Sequence, residues 1–224
     1  MISVVIPAMN EEGHIATCID ALRSEACDCE IILADGGSTD RTAEVALSFR
    51  GVKVVKSEKG RGLQMNAGAA KASGDVILFL HADTLLERGW AAEILTVIKN
   101  ASISGGAFTF AIRSSSWKYR LVEAWVTLRC RLCSLPYGDQ AIFARKSAFN
   151  LIGGYKNIPL MEDVDFISRL KELNPIVILD KKAITSERRW IQKGLVRTAA
   201  MNQLIMLLYK LGVSPEALFR LYYR

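Results

Sequence analysis

Short apolar runs followed by polar turns and by apolar residues at helical spacing recur along the first eighty residues. The runs that read as buried strands cover residues 2–6, 30–34, 52–55 and 76–80. Helices are predicted between them, where Ile15, Cys18, Ile19 and Leu22 repeat at helical spacing, and over residues 41–49 and 63–72. This alternation of strand and helix predicts an α/β protein with a mainly parallel, Rossmann-like central sheet and flanking helices.

The second half of the chain has a less regular pattern. It predicts helices over residues 85–99, 117–135 and 161–173, strands over residues 105–112 and 176–179, a polar turn at 137–140, and a helical tail over residues 195–224. We find no repeat, linker or low-complexity tract. The expected organisation is one domain over residues 1–190 and a helical C-terminal extension over 191–224, packed on that domain, on a partner or on a membrane.

Polar residues follow the predicted strands at the rim of the sheet where ligand binding is expected. Right-handed crossovers place the loops after parallel strands on the same rim of the sheet, where α/β proteins bind ligands. Asn10, Asp35, Arg61 and Asp83 should therefore face one cleft. Asp83, directly after the run 76–80 and His81, suits a divalent cation held against phosphate oxygens. The alternative is that Asp83 caps the predicted helix 85–99.

Composition narrows the classes of partner. The chain has 224 residues, half of them hydrophobic, and a net charge of +6, which favours anionic partners. Neither a dinucleotide-binding G-x-G-x-x-G after the first strand nor a P-loop occurs, and the arginines are not interleaved with aromatics as in nucleic-acid-binding modules. The expected location is cytoplasmic, because no basic n-region or membrane-length apolar run is seen and the five cysteines are odd in number. A zinc site formed by Cys27, Cys29, Cys130 and Cys133 is a weaker alternative.

Five short motifs, taken in order, resemble those of the family 2 glycosyltransferases, which have the GT-A fold. They are the segment Pro7-Ala8-Met9-Asn10-Glu11-Glu12 after the first strand, the loop Asp35-Gly36-Gly37-Ser38-Thr39-Asp40, the triplet His81-Ala82-Asp83 in the place of the family's D-x-D, the turn Gly138-Asp139-Gln140, and the pair Glu162-Asp163. Arg188-Arg189-Trp190 also resembles part of the family's Q-x-x-R-W motif. The resemblance runs from residue 2 to about residue 190.

The resemblance implies a donor site for a nucleotide-diphosphate sugar, carrying a UDP or GDP group, and a divalent cation, Mn²⁺ or Mg²⁺. The residues expected to bind the donor are Pro7, Asn10, Glu12, Asp35, Arg61, Asn66, Ala82, Asp83 and Arg189. Asp83 and His81 are the expected metal ligands. Carboxylate and amide groups accept hydrogen bonds from ring N–H groups or hydroxyls, and Arg61 has a fork of donors suited to a diphosphate.

The resemblance also implies an acceptor site with a carboxylate as general base. By the family match the base is Asp163, which predicts in-line displacement with inversion at the anomeric carbon. Acceptor contacts are expected from Gly138, Asp139, Gln140, Glu162 and Trp190. The alternatives are structural: first-turn helix charge for the Glu162–Asp163 pair, an ordinary turn for residues 138–140, and a core position for Trp190.

Three departures from the family pattern affect what is expected. His81 replaces an aspartate, and imidazole suits Mn²⁺ better than Mg²⁺. Gly36 stands where many members have a second aspartate, which leaves the nucleotide base open. Ser186 stands in the place of the glutamine of Q-x-x-R-W, which argues against a polymerising enzyme.

Two further functions and three further partners stay open at this point. The acceptor is a hydroxyl or, alternatively, a polyprenyl phosphate, for which a base is less necessary; a catalytically silent nucleotide-sugar-binding protein is the other alternative. Apolar and basic residues share the tail from Leu195 onward. This mixture is compatible with peripheral contact at the inner face of a membrane, with a lipid-linked acceptor, or with a homodimer.

Overall fold

The computed structural model describes residues 1–25 and 27–223, apart from the side chains of residues 131, 133, 189 and 193. Within these residues it contains one eight-stranded sheet and helices on both of its faces. The strands are β1 (Ile2–Ala8), β2 (Cys29–Asp35), β3 (Lys53–Lys56), β4 (Val76–Phe79), β5 (Thr84–Leu86), β6 (Gly105–Ile112), β7 (Phe143–Arg145) and β8 (Ile176–Thr185). The helices are α1 (Glu12–Arg23), α2 (Thr42–Leu47), α3 (Arg61–Lys71), α4 (Trp90–Val97), α5 (Trp117–Cys133), α6 (Lys146–Leu151), α7 (Glu162–Leu173), α8 (Arg188–Lys193), α9 (Leu195–Lys210) and α10 (Pro215–Tyr222). The predicted α/β class is confirmed.

The strand order is β3-β2-β1-β4-β7-β6-β8-β5. The half β3-β2-β1-β4 is parallel throughout, as the alternating pattern predicts. The second half mixes directions, because β7 runs antiparallel to both β4 and β6, and β5 runs antiparallel to β8. The parallel half therefore brings the ends of β1, β2 and β4 to one rim, where the predicted ligand site lies.

Both faces of the sheet are covered. Alternate residues of β1 point to opposite sides, so that Val4 belongs to one hydrophobic cluster and Val5 to the other. The first cluster includes apolar residues of α1, α2 and α4, and the second includes those of α3, α6 and α7. Helix α3 packs so closely on the sheet that a methyl group built on Gly68 would lie 2.3 Å from Val5. A side chain at position 68 would push α3 off the sheet.

The predicted helix over residues 85–99 is wrong at its beginning. Leu85 and Leu86 belong to strand β5 and pair with Ile184 and Ala183 of β8, and the helix begins only at Trp90. A partner about a hundred residues away determines this strand, so the local apolar pattern could not distinguish it from a helical turn. Asp83 is therefore not a helix cap. For the same reason β8 continues through the charged residues after Leu179.

The C-terminal residues form the predicted helices, and their apolar side chains meet two parts of the domain. Ile205, Met206 and Leu218 pack with Met161 and Val164 at the beginning of α7. Around α8, Trp190 is buried with Phe110, Ile112 and Tyr119, and Leu195 and Ala199 pack against that cluster. The division at residue 190 stays a prediction. None of the helices in residues 1–25 and 27–223 combines the length and the apolar content that a bilayer span requires.

Candidate active site

The loops that follow β1 and β2 are joined by hydrogen bonds through Asn10, one of the predicted donor-binding residues. The Asn10 N–H donates to Ser38 Oγ (3.0 Å), and Asn10 Oδ1 accepts from the Thr39 N–H (2.8 Å). The buried Asp35 accepts from the Ser38 N–H (3.1 Å). Asn10 has a positive φ of 57°, which asparagine tolerates better than most residues. The predicted placement of Asn10 and Asp35 at one rim agrees with this geometry.

Gln64 is a structural residue of this rim that the sequence pattern did not reveal. Its buried amide donates to the carbonyl oxygens of Ala8 (2.7 Å) and Ala34 (3.0 Å), at the ends of β1 and β2. A methyl group built on Gly36 would lie 2.8 Å from the Gln64 amide. Gln64 therefore occupies the space that a larger residue at position 36 would need, which gives a physical reason for the glycine in place of a second aspartate.

Asp83 lies at the end of the β4 segment and contacts an arginine from α8. Arg188 Nη2 is 3.7 Å from Asp83 Oδ2 and 3.2 Å from Glu11 Oε1. Arg188 Nη1 is also 3.1 Å from His14 Nε2, and since a guanidinium only donates, this ring nitrogen accepts. The sequence predicted Arg189 as the arginine of this region, but the Arg189 side chain lies outside the described residues. The structure brings Arg188 to the donor side.

Asp83 and His81 have side-chain types that can contribute to the ligand set of a divalent cation. Both side chains are half-buried, and Arg188 Nη2 lies 3.7 Å from Asp83 Oδ2, so a cation at Asp83 would compete with this guanidinium. Among the described residues no three His, Cys, Asp or Glu side chains converge on a common point. Mg²⁺ and Mn²⁺ sites in nucleotide-binding proteins commonly use one or two protein ligands and complete their shell with phosphate oxygens and water. The donor set is compatible with that arrangement.

Asp163, the predicted base, is held at the beginning of α7 by two backbone donors. Its Oδ2 accepts from the Gly138 N–H (2.6 Å) and its Oδ1 from the Val164 N–H (2.8 Å). A methyl group built on Gly138 would lie 3.3 Å from Asp163 Oδ2 and 3.4 Å from His81 Nε2. A single glycine thus separates the predicted base from the predicted metal ligand. Two motifs that are eighty residues apart in sequence meet at this point.

A small cavity of about 10 Å³, room for about one water molecule, lies between these groups. It is lined by Arg61, Met65, Phe79, His81, Gly138, Ile142, Tyr155, Glu162 and Asp163. Tyr155, which the sequence analysis missed, is buried, and its ring stacks on Phe166 of α7 with centroids 4.1 Å apart. Its hydroxyl has no hydrogen-bond partner among the described residues. That hydroxyl is available to a molecule entering the cavity.

The electrostatics of the cavity come from an arginine facing acidic residues. Burial raises the pKa of Glu162 from 4.5 to about 7; the Asp163 carboxylate adds to the rise, and Arg61 opposes it. Desolvation acts to lower the pKa of the Arg61 guanidinium, but Glu162, Tyr223, Asp163 and Asp139 together outweigh it, and the net change is upward. Arg61 therefore stays charged, and it lines the cavity together with Glu162 and Asp163.

The raised pKa of Glu162 predicts an unusual dependence of stability on pH. Between about pH 4.5 and 7 the native state keeps a proton that the unfolded chain has lost, so the free energy of unfolding falls as the pH rises. Glu162→Gln removes this titration. We expect the variant to be more stable than the wild type above pH 7, by up to about 3 kcal/mol. Urea unfolding at pH 5, 6, 7 and 8 measures the effect.

The exposed Glu172 lies on the same helix and provides a matched control. Glu172→Gln should leave the pH profile of stability unchanged. Parallel profiles for the wild type and Glu162→Gln would contradict the shifted titration of Glu162.

Several predicted contact residues have structural roles in this fold. The Asn66 amide pairs with the backbone of Tyr155, donating to its carbonyl (2.8 Å) and accepting from its N–H (2.9 Å). Gln140 is buried; its amide donates to the Phe108 carbonyl (3.0 Å) and accepts from the Tyr137 N–H (3.2 Å). Both side chains therefore hold the fold together around the site, and their predicted ligand contacts stay predictions.

The remaining predicted residues divide between packing and the rim. Trp190 is buried in the cluster with Phe110, and Ala82 in the first hydrophobic cluster, so both pack the core. Glu12 Oε2 accepts from the Arg41 N–H (3.1 Å), which joins α1 to the beginning of α2. Pro7 is half-buried within β1, and Asp139 is half-buried beside the cavity residue Gly138. Among the described residues no cluster of cysteines suited to zinc is found: Cys130 Sγ donates to Gln140 Oε1 (3.3 Å), and Cys27 and Cys29 pack against the first hydrophobic cluster. The Cys133 side chain lies outside the described residues.

Comparison with known proteins identifies the family. The model of "Glycosyl transferase family 2" matches residues 3–154, more than half of the chain. A "PGL/p-HBAD biosynthesis glycosyltransferase" of Mycobacterium bovis is 30% identical over 178 residues, covering 74% of this chain and 68% of the relative.

Two solved structures share the fold. Staphylococcus aureus TarS 1-349 in complex with UDP-GlcNAc has a TM-score of 0.64 at 18% identity, and the match covers 82% of this chain and 58% of TarS 1-349. The mannosyltransferase PcManGT of Pyrobaculum calidifontis, in complex with GDP-Man and Mn²⁺, has a TM-score of 0.66 at 14% identity, covering 99% of this chain and 68% of that one. The predicted GT-A fold is confirmed by these structures. With the family match and the 30% identical relative, they lead to one conclusion: the chain belongs to glycosyl transferase family 2 and is a glycosyltransferase.

Proposed function

We propose that this glycosyltransferase moves a sugar from a UDP- or GDP-sugar to an acceptor hydroxyl with inversion at the anomeric carbon. The observation that carries the proposal is the meeting of His81 and Asp163 across Gly138, at a cavity that Arg61 also lines. A donor bound at the rim and an acceptor beside Asp163 would approach each other there. The transfer needs this proximity.

In the proposed reaction the acceptor oxygen attacks the anomeric carbon and the bond from that carbon to the diphosphate oxygen breaks. The hydroxyl proton passes to the Asp163 carboxylate. Each of its oxygens accepts one backbone N–H and keeps a further lone pair for the acceptor. The two N–H donors fix the orientation of the carboxylate before the acceptor arrives.

The donor side is proposed to bind the nucleotide through Asn10 and Asp35 and the diphosphate through Arg61 and Arg188. Asp83 and His81 would hold a divalent cation, which when bound neutralises charge on the leaving diphosphate. The complexes of TarS with UDP-GlcNAc and of PcManGT with GDP-Man and Mn²⁺ support a nucleotide-sugar donor and a metal for this fold. The two complexes contain different nucleotides, so the identity of the nucleotide bound by this chain needs a direct test.

A thermal-shift panel of UDP, GDP, CDP and ADP, each with Mn²⁺, Mg²⁺ or EDTA, provides that test. A nucleotide at 100 times its dissociation constant stabilises the native state by about 2.7 kcal/mol, or roughly 5–10 °C in Tm for a chain of this size. We expect UDP or GDP to give this shift with Mn²⁺ and a smaller one with EDTA. The absence of a shift with every nucleotide would contradict the proposed donor site.

A further inference from the structure

Helix α5 carries an exposed stripe of large apolar side chains. We define the α5 stripe as Trp117, Leu121, Trp125, Leu128 and Leu132, which are between 49% and 76% exposed. Their spacing of four, four, three and four residues places them within an arc of about 80° on an α-helix. A contiguous apolar face of this kind on a protein surface usually marks an interaction site.

The orientation of the stripe is fixed by the opposite face of the same helix. Tyr119 is buried with Phe110 and Ile112 of β6, and Val122 and Val126 pack against that cluster. The Glu123 carboxylate accepts a hydrogen bond from the Ile112 N–H (2.7 Å) and pairs with Arg120 (2.8 Å). Rotation of α5 to bury the stripe would break these contacts. The stripe therefore faces away from the protein's own core.

The charge around the stripe favours an anionic partner. The α5 segment from Trp117 to Cys133 contains four basic residues, Lys118, Arg120, Arg129 and Arg131, and one acidic residue, Glu123. The Lys118 side chain is exposed, whereas the partly exposed Arg120 is held by Glu123 and by the carbonyl oxygens of Ile112 and Ser114. In a symmetric contact between two copies, each basic helix would meet the same basic helix. Exposed tryptophan and leucine with flanking lysine and arginine instead suit the interface of an anionic bilayer.

We propose that the α5 stripe docks on the surface of an anionic phospholipid bilayer. The helix would lie in the plane of the interface, with its tryptophan and leucine side chains among the lipids and Lys118 near the headgroups. The sequence pattern placed membrane contact in the C-terminal helices. There Ile205, Met206 and Leu218 are buried against α7, whereas Leu204, Leu207 and Leu211 are exposed, so contact of that tail with a membrane stays a prediction.

The position of α5 gives this docking a consequence for the active site. Arg129 lies over the Tyr137 ring at 3.5 Å, and the neighbouring Cys130 bonds to Gln140. These contacts attach the C-terminal half of α5 to the turn that contains Gly138, whose N–H holds Asp163. A bilayer under α5 would therefore adjoin the acceptor side of the site.

Flotation with lipid vesicles tests the proposal on the full chain. We expect binding to phosphatidylcholine vesicles that contain phosphatidylglycerol, weak binding to phosphatidylcholine alone, and release at high salt. The double variant Trp117→Ser/Trp125→Ser should bind the anionic vesicles about tenfold more weakly or worse. Leu47→Ser/Leu151→Ser, at positions on α2 and α6 that are 62% and 73% exposed, is the matched control and should bind like the wild type.

Tryptophan fluorescence gives an independent measurement. Trp90 and Trp190 are buried, so a blue shift on adding anionic vesicles reports on Trp117 and Trp125. Equal vesicle binding by the wild type and the tryptophan double variant would overturn the proposal. A wild type that does not bind anionic vesicles would also overturn the proposal. If light scattering then showed a dimer that the double variant abolishes, the stripe would be a dimer interface instead. Circular dichroism and Tm measurements on each variant check that it is folded.

Discussion

Substitution of Asp163 by asparagine is expected to lower kcat by about 10²- to 10⁴-fold, the usual contribution of a general base. The amide has nearly the shape of the carboxylate but does not accept the acceptor proton at neutral pH. The Asp163 carboxylate accepts hydrogen bonds from the N–H groups of Gly138 and Val164. In the variant, the amide NH₂ group faces one of these two donors. Steady-state kinetics with a saturating donor measure the loss.

The control for this result separates chemistry from folding. The nucleotide-dependent rise in Tm should persist in Asp163→Asn, because the donor rim does not include Asp163. Asp139→Asn removes a carboxylate that also acts on Arg61, and it should change kcat much less. A kcat near that of the wild type in Asp163→Asn would sink the role of Asp163 as base and favour a polyprenyl phosphate acceptor, which is already ionised.

Substitution of Asp83 by alanine is expected to lower kcat/KM by about a hundredfold or more and to remove the metal dependence of nucleotide binding. The physical reason is that this carboxylate is the proposed anionic ligand of the cation that stabilises the leaving diphosphate. In the thermal-shift panel the variant should give the same Tm with Mn²⁺ and with EDTA at each nucleotide concentration. Activity titrated against Mn²⁺ gives a second measurement.

Glu11 offers a matched control for Asp83, because both carboxylates contact Arg188. Glu11→Gln weakens the same ion-pair cluster but leaves the proposed metal ligands in place. It should keep the Mn²⁺ dependence of the wild type. If Asp83→Ala also kept the wild-type Mn²⁺ dependence, the cation would have to bind elsewhere.

The parts of the fold that the sequence predicted are those determined locally. Strands β1 to β4 and their helices follow from apolar runs and turn residues, and the polar groups at their ends follow from the topology of a parallel sheet. The pairing of Leu85 and Leu86 with β8, and the contact of Arg188 with Glu11, join residues about 100 and 177 positions apart. No local pattern carries that information.

The site also contains features that only the assembled backbone reveals. Ala141 and Met161 have positive φ values of 49° and 69°, a conformation that neither residue type favours. Met161 directly precedes Glu162, and Ala141 directly follows Gln140. Such strain is usually found near functional sites, where the surrounding structure enforces it. The sequence could propose Glu162 and Asp163 as candidates, but not the backbone conformation that presents them.

The contact between Arg188 and Asp83 affects how a measured metal affinity should be interpreted. A cation that binds Asp83 does not meet a bare carboxylate, but replaces a guanidinium 3.7 Å away. Because Arg188 is partly exposed, that pair is worth about 1 kcal/mol at most, or about fivefold in a binding constant. A dissociation constant for Mn²⁺ at the proposed site would therefore be the constant of an exchange. It would exceed the intrinsic constant of that site by at most this factor.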